Sequence, residues 1–376
     1  MKRRSFIAGL GSLPLAATAT AAAQSTPIAG TPVPEATPIP VGSAYGTVSI
    51  RVMTFNIWIG GDQVDFERVA EAIQLAKADV VGVQEAEGNI PRLARRLGWS
   101  YYDTRMHIVS RFPIIDPEGA NGNYVLIEPV TGGVFAMSNV HLPSDPYGPQ
   151  TVIDGTTPEA LMQLEIDTRL PALQPKLDAC RQLIDAGFPV FLTGDYNSPS
   201  NLDWTATTGD VRGVKRFPFA WPVAKATEDA GFRDSYRTLY PDPAAKVGYT
   251  WTAGYPAPLL RSGEPLDRID FVWFAGDIDV TASQIVGEAG GADVDIPVTP
   301  YPSDHRSVVS AFNVNLVTPP IYTSVARRAV EVGERQTVRF HARGDQTDTI
   351  AFMPADGTPA DAPVTFIPRE TWVDGS

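Results

Sequence analysis

Apolar runs of strand length alternate with stretches of helical periodicity from Thr47 to about Leu316. Val48–Phe55, Asp79–Val83, Val134–Val140, Val190–Thr193, Ile269–Phe274 and Val308–Val314 are short and rich in β-branched or aromatic residues, and each predicts a strand. Val64–Lys77 instead places Phe66, Val69, Ala70, Ile73 and Ala76 on one helical face. A second helix is expected over Ile90–Leu97. Glu159–Ala186 reads as a long helical stretch broken near Pro171 and Pro175. His107–Ser110 and Tyr124–Ile127 predict a pair of strands. Strands joined directly, mixed with strands separated by helices, predict an α/β protein with two mixed sheets and helices outside them.

The ends differ from this pattern. Residues 317–376 alternate polar and apolar positions at Thr337–Ala342, Thr349–Phe352 and Val364–Ile367, which predicts a short β-rich extension. Residues 24–46 are rich in Pro, Thr and Ala, cannot bury a core, and read as an extended linker. At the start, Lys2, Arg3 and Arg4 precede a modest apolar stretch from Ala8 to Ala19 and then Ala21-Ala22-Ala23. Adjacent arginines followed by Phe6-Ile7 fit a twin-arginine export signal over residues 1–23. No other segment is long and apolar enough to span a membrane. The mature chain is therefore expected to be exported, either secreted or retained in the periplasm or cell envelope, and to be a monomer.

Charge and cysteine content narrow the functions. The formal net charge is -13, which disfavours a stable nucleic-acid binder with a basic footprint. It leaves a nuclease open, because a metal site gathers carboxylates and its cation reverses the local field. The single cysteine, Cys180, excludes an internal disulfide framework and a multi-thiolate zinc site. Its helical, apolar setting predicts a buried thiol.

Polar groups cluster where the apolar runs end, the place where α/β sheets build their sites. Asn56 follows Val52-Met-Thr-Phe, and Glu85 follows Val80-Val-Gly-Val-Gln. A carboxylate at the end of so apolar a strand needs a partner, and a hard cation such as Mg²⁺ takes oxygen ligands. By itself Asn56 reads more simply as a turn or cap residue, and Glu85 divides evenly between the two readings. Gly194-Asp195-Tyr196-Asn197 sets two polar side chains two apart, so both face one cleft if the backbone stays extended. An Asx-turn fits the same residues. Two of the four histidines, His141 and His305, fall in such motifs, whereas His107 and His341 read as structural or surface residues. Ser303-Asp304-His305 precedes a strand, and a carboxylate from Asp267-Arg268-Ile269-Asp270 could fix the histidine's tautomer. Asp267 and Asp270 are three apart, so on a strand only one can serve.

Met53-Thr-Phe-Asn56, Val83-Gln-Glu85, Ser110-Arg-Phe-Pro-Ile114, Asn139-Val-His-Leu142, Gly194-Asp-Tyr-Asn197, Arg268-Ile-Asp270 and Ser303-Asp-His305 occur in one order along the chain. Together they resemble the endonuclease/exonuclease/phosphatase superfamily over about Ser49 to Phe312. The resemblance implies a four-layered α/β sandwich and a catalytic domain over 47–316. It implies that Glu85 binds Mg²⁺ or Mn²⁺, with Asn56 and Asp304 close to the metal. His305 would be the general base, oriented by Asp270, with Asp267 the alternative partner. Asp195 would assist proton transfer, while Asn197 and His141 contact phosphate oxygens. Tyr196 stands where the family's turn usually has Phe. The expected substrate is a phosphate ester: a nucleic acid, a nucleotide or a small phosphodiester. A phosphomonoesterase, a sphingomyelinase-like phospholipid hydrolase and an inactive exported binding module are the alternatives. The insertion Pro143–Pro149 and the aromatic stretch Tyr249–Tyr255 flank the motifs and either line the cleft or pack loops.

Overall fold

The computed structural model describes residues 45–209, 216–251, 265–325 and 338–341, all within the compact unit Pro40–Ser376. The proposed signal segment, most of the linker, Trp251's successors up to Tyr255, and the strands expected at Thr349–Phe352 and Val364–Ile367 lie outside the described residues.

In chain order the elements begin with strand β1 (Thr47–Asn56), helix α1 (Phe66–Leu75), β2 (Val80–Gln84), α2 (Ile90–Leu97), β3 (Tyr101–Asp103), β4 (Ile108–Ser110) and β5 (Ile114–Ile115). Next are β6 (Val125–Val130), β7 (Gly133–His141), α3 (Gly148–Ile153), α4 (Pro158–Thr168), α5 (Leu170–Asp185) and β8 (Val190–Asp195). They are followed by α6 (Pro222–Asp229), β9 (Arg233–Asp234), α7 (Ser235–Leu239), β10 (Asp270–Ala275), β11 (Ile278–Glu288) and β12 (Ile296–Val298). The series closes with β13 (Ser307–Asn315), β14 (Tyr322–Val325) and β15 (Val338–His341).

Two mixed sheets face each other. One has the order β12-β11-β13-β1-β2-β4-β3, the other β5-β6-β7-β8-β10-β9. Period-two alternation assigns their faces. Ile50 and Val52 of β1, Val308 and Phe312 of β13, Phe135 and Met137 of β7, Phe191 of β8 and Phe274 of β10 all point into the space between the sheets. The opposite face of the first sheet, with Met53, Phe55, Val81 and Val83, is covered by α1 and α2 through Val69, Ile73, Ile90 and Leu93. The opposite face of the second sheet, with Val190, Leu192, Phe271 and Trp273, is covered by Leu161, Leu173, Leu177 and Cys180 of the α4–α5 layer. Three apolar layers thus separate four structural ones, a four-layered α/β sandwich. Burial pushes the Cys180 thiol up to about 12, so this cysteine packs as an apolar group.

Local rules account for several boundaries. Asp65 caps α1 by accepting from Glu67 N at 3.0 Å. Gly98 ends α2 in the left-handed region, φ 72°. The long helical stretch breaks once, at Arg169, and Pro171 sits in the first turn of α5, where its missing N–H costs nothing. Pro175 remains inside the helix and does not divide it, contrary to the sequence expectation. The strands at His107–Ser110 and Tyr124–Ile127 also do not pair with each other. β4 joins β2 and β3 in the first sheet, and β6 joins β5 and β7 in the second, so the turn between them crosses from sheet to sheet.

Both flanks of the sandwich are tied down. Tyr45 donates to or accepts from Thr318 Oγ1 at 3.2 Å and packs where a side chain at Gly133 would sit. Val317 exchanges backbone hydrogen bonds with Val134, and Tyr322 is buried in the outer layer of the second sheet. β14 pairs with β15, which accounts for the alternation read over Thr337–Ala342.

Candidate active site

The strand ends converge at one rim of the sandwich. Parallel pairing of β7 and β8 sets His141 beside Asp195, and antiparallel pairing of β8 and β10 sets Asp270 on the other side of Asp195. One row of the second sheet therefore carries an imidazole and two carboxylates. The facing sheet contributes Asn56 from the end of β1 and Glu85 from just beyond β2. His305 arrives on the loop before β13. Ser303 fixes that loop by donating to Asn56 O at 2.7 Å and accepting from His305 N at 3.1 Å.

Asp195 is the centre of the cluster. Its Oδ2 accepts from Asn56 Nδ2 at 2.9 Å and lies 3.6 Å from His141 Nε2 and 3.7 Å from His305 Nε2. Its Oδ1 accepts from Asn197 N at 2.9 Å, closing an Asx-turn. The backbone at Asn197 is left-handed, φ 47°, so the extended geometry expected for residues 195–197 does not form. Asn197 Nδ2 donates to Leu142 O at 3.0 Å, tying the β8 turn to the chain leaving β7.

His305 is held from its other nitrogen. Nδ1 is 3.0 Å from Asp270 Oδ2, and both side chains are buried. Thr250 Oγ1 accepts from the backbone N–H of Ile269 and Asp270, which fixes the height of that carboxylate. Asp267 faces away. Its Oδ1 accepts from Trp204 Nε1 and Arg216 Nη2, both at 2.9 Å, and its Oδ2 accepts from Tyr147 Oη at 3.1 Å.

Glu85 sits in left-handed backbone, φ 54°. Its Oε1 accepts from Asn56 Nδ2 at 3.1 Å and its Oε2 from Ile59 N at 2.8 Å. Ile59 is also left-handed, φ 43°, an outlier for a β-branched residue and a sign of local strain. Asn56 Oδ1 accepts from Trp58 N at 3.0 Å, which directs the amide NH₂ toward Glu85 and Asp195. Asp304 lies next to His305 with a buried Oδ1 that has no hydrogen-bond partner among the described residues.

The electrostatics show what the cluster lacks. Among the described residues no lysine or arginine ion-pairs with Glu85, Asp195, Asp270 or Asp304; the imidazoles of His141 and His305 are what approach Glu85, Asp195 and Asp270. Burial raises Asp304 to about 6, with Glu85 adding to the effect against the opposing pull of His305. Asp270 is raised by burial, while His305 pulls it down. Burial by itself would lower His305, but Asp270, Asp195 and Asp304 outweigh it and hold the ring at about 10. Asp195, Asp270 and His305 also offer atoms within 4.8 Å of one another. Asp270 and His305 already form a hydrogen-bonded pair, which leaves the carboxylates of Glu85, Asp195 and Asp304 to face a hard cation. The orphaned Asp304 oxygen and the absence of a lysine or arginine partner for these carboxylates among the described residues fit such an ion.

Residues 53–305 match the family model described as the endonuclease/exonuclease/phosphatase family. The chain belongs to this family. An uncharacterised protein of Caenorhabditis elegans is 29% identical over 309 residues, covering 72% of this chain and 93% of that protein. Among solved structures, the endonuclease/exonuclease/phosphatase from Beutenbergia cavernae is 20% identical, covering 80% of this chain and 83% of that one, with a TM-score of 0.44. An AP endonuclease from Archaeoglobus fulgidus is 16% identical over 70% of this chain and 100% of that one, with a TM-score of 0.41. Members of the endonuclease/exonuclease/phosphatase family hydrolyse phosphate esters, usually with a divalent metal.

Several residues that shape this site carried no assigned role in the sequence, although Asn139 and Arg268 stand in its motifs. Asn139 staples the sheets together. Its Oδ1 accepts from Gln84 Nε2 at 2.7 Å and Thr193 Oγ1 at 2.9 Å, and its Nδ2 donates to Val83 O and Met106 O at 3.1 Å. Gly82 leaves the room, since a Cβ there would lie 2.1 Å from Thr193 Oγ1. Arg268 is buried and ion-pairs with Asp203 and Asp234, so the arginine between the two motif aspartates is structural. The signal for Asn139 was its place in a motif; Asp203 and Asp234 carried none.

Proposed function

We propose that this chain is a divalent-cation-dependent phosphodiesterase of the nuclease type, with His305 as general base. One observation carries the reading. The 3.0 Å contact between His305 Nδ1 and Asp270 leaves Nε2 facing the space shared by Asn56 and Asp195. A ring held in this way keeps its proton on Nδ1 and offers Nε2 to a water molecule.

Glu85 and Asp304 would hold Mg²⁺ or Mn²⁺, with Asn56 orienting Glu85 through its amide. A cation held there would supply charge to neutralise a phosphate oxygen and the leaving oxyanion. His305 takes the proton of the attacking water at Nε2, and Asp270 stabilises the imidazolium that results. His305 held at about 10 would keep its proton at neutral pH. Positive charge among these carboxylates offsets the field responsible, which is why the base and the cation belong to one reading. Asp195 stands between both histidines and relays a proton toward the leaving group. His141, about a third exposed, donates to a phosphate oxygen, as does the second amide hydrogen of Asn197. A diester is favoured over a monoester because so acidic a site repels a phosphate dianion more than a monoanion.

The test is hydrolysis of bis(p-nitrophenyl) phosphate against p-nitrophenyl phosphate, with Mg²⁺ and with EDTA. Cation-dependent cleavage that favours the diester is expected. A preference for the monoester would move the reading to a phosphatase, and folded, cation-loaded protein inert to both would overturn it. We also propose, from Arg3-Arg4 and the apolar stretch that follows, that the chain is exported and loses residues 1–23; sequencing the N-terminus of the exported form should find Gln24 first.

A further inference from the structure

The turn between β1 and α1 holds four successive residues at positive φ: Trp58 at 58°, Ile59 at 43°, and Gly60 and Gly61 both at 80°. Glycine adopts such backbone freely, whereas an aromatic and a β-branched residue do so at a cost. Strain of this kind persists only where the surroundings over-determine it. Here it aims two consecutive amides at one residue. Ile59 N donates to Glu85 Oε2 at 2.8 Å, and Gly60 N donates to Glu85 O at 2.7 Å.

Two side chains at the start of α2 reach back to this turn. Asn89 Nδ2 donates to Gly60 O at 2.8 Å, and Arg92 Nη1 donates to both Asp62 oxygens at 2.9 and 2.7 Å. Arg92 and Asp62 are each about half exposed, and a pair of that kind contributes little. Asn89 is the stronger tether. It stands at the N-cap of α2, where an asparagine ordinarily accepts from a helix N–H, yet its side chain makes no cap bond. Gly60 leaves it room, since a Cβ there would lie 3.1 Å from Asn89 Nδ2. Gly60 is therefore held at both ends, by Glu85 at its N–H and by Asn89 at its C=O.

We propose that Asn89 is a positioning residue for the cation: by tethering Gly60 it fixes the Ile59 N–H that orients the Glu85 carboxylate, and so raises the affinity for Mg²⁺. The proposal rests on the reading above that Glu85 holds the ion. With Oε2 committed to Ile59 N, Oε1 is the oxygen that faces the site, 3.1 Å from Asn56 Nδ2 and 3.9 Å from His141 Nε2. A carboxylate already set in one orientation does not have to be ordered by the ion, and Mg²⁺, which demands near-ideal octahedral geometry, gains most from that.

The test is calorimetric titration of Mg²⁺ into the full chain after cations have been stripped with EDTA and the chelator removed. Asn89→Ala should raise the Kd for Mg²⁺ about tenfold. Asn89→Ser can still cap α2 but is too short to reach Gly60 O, and it should behave alike. Arg92→Ala, which loosens the same turn at its exposed end, should leave Kd near the wild-type value. Both Asn89 variants should melt near the wild type in EDTA, and raising Mg²⁺ should restore their turnover of bis(p-nitrophenyl) phosphate, so that the defect lies in the cation requirement and not in kcat. Where Glu85→Gln loses the ion, a wild-type Kd in both Asn89 variants, an equal rise in Arg92→Ala, or a loss of turnover that saturating Mg²⁺ does not recover would overturn this inference alone. A wild type that binds no Mg²⁺, or a Glu85→Gln variant that binds it undiminished, would overturn the cation reading and this inference with it.

Discussion

Asp195 and Asp270 lie directly opposite each other across the β8–β10 ladder, both buried, yet they hold different partners. Asp270 orients His305 through Nδ1, and Asp195 accepts from Asn56 and Asn197. This division predicts unequal variants. Asp270→Asn should cut kcat on a diester by roughly 10²–10⁴, because an amide can no longer fix the tautomer with Nδ1–H. Steady-state rates and a thermal melt check it; a folded variant with the wild-type kcat would contradict the pairing.

Glu85 and Asp304 are expected to bind the cation, which gives a readout independent of turnover. At a free cation concentration 100-fold above Kd, the wild type should gain about 2.7 kcal/mol of stability. Glu85→Gln and Asp304→Asn should each remove most of that gain. Melting curves with and without Mg²⁺ decide the matter, and an undiminished shift in both variants would place the ion elsewhere.

Asn139 should matter to stability as much as to activity. Asn139→Ala strips partners from Gln84, Thr193 and two buried carbonyls at once. The expected loss is about 2–4 kcal/mol, measured by urea unfolding. A loss below about 0.5 kcal/mol would show that the staple is dispensable.

Glu165 gives a pH signature. Burial raises its carboxyl from 4.5 to about 7, against the opposing pull of Arg169. A raised acid binds its proton more tightly in the folded state, so its contribution is fully present below pH 4.5 and is lost as pH rises through 7. The wild type should lose about 3 kcal/mol from this group across that window. Glu165→Gln, stable or not, should show a flatter profile between those limits when unfolding is followed at several pH values. Parallel profiles would refute the shift.

The sequence disclosed those features that local chemistry dictates. β2, β8, β10 and the second half of β1, residues 52–56, were legible because both of their faces are buried, which forces continuous apolar runs. β11 was not, because Asp279 and Thr281 interrupt it where one face meets solvent, and the buried Ser283 adds a further polar position. The crossing between β4 and β6 was invisible because pairing partners are set by tertiary packing and not by the strands themselves. Spacing alone showed that only one of Asp267 and Asp270 could reach His305; the family pattern favoured Asp270, and the structure pairs Asp270 with the ring. The Asn197 turn stayed open between two readings because an Asx-turn and an extended strand end share the same residues, and the left-handed φ selects the Asx-turn.

The most direct test of the central claim is the rate of His305→Ala on bis(p-nitrophenyl) phosphate at saturating Mg²⁺, beside a melt that verifies its fold. Removing the base should bring turnover down to the background of the free cation, with the fold retained. A folded His305→Ala protein that cleaves the diester at the wild-type rate would contradict the account.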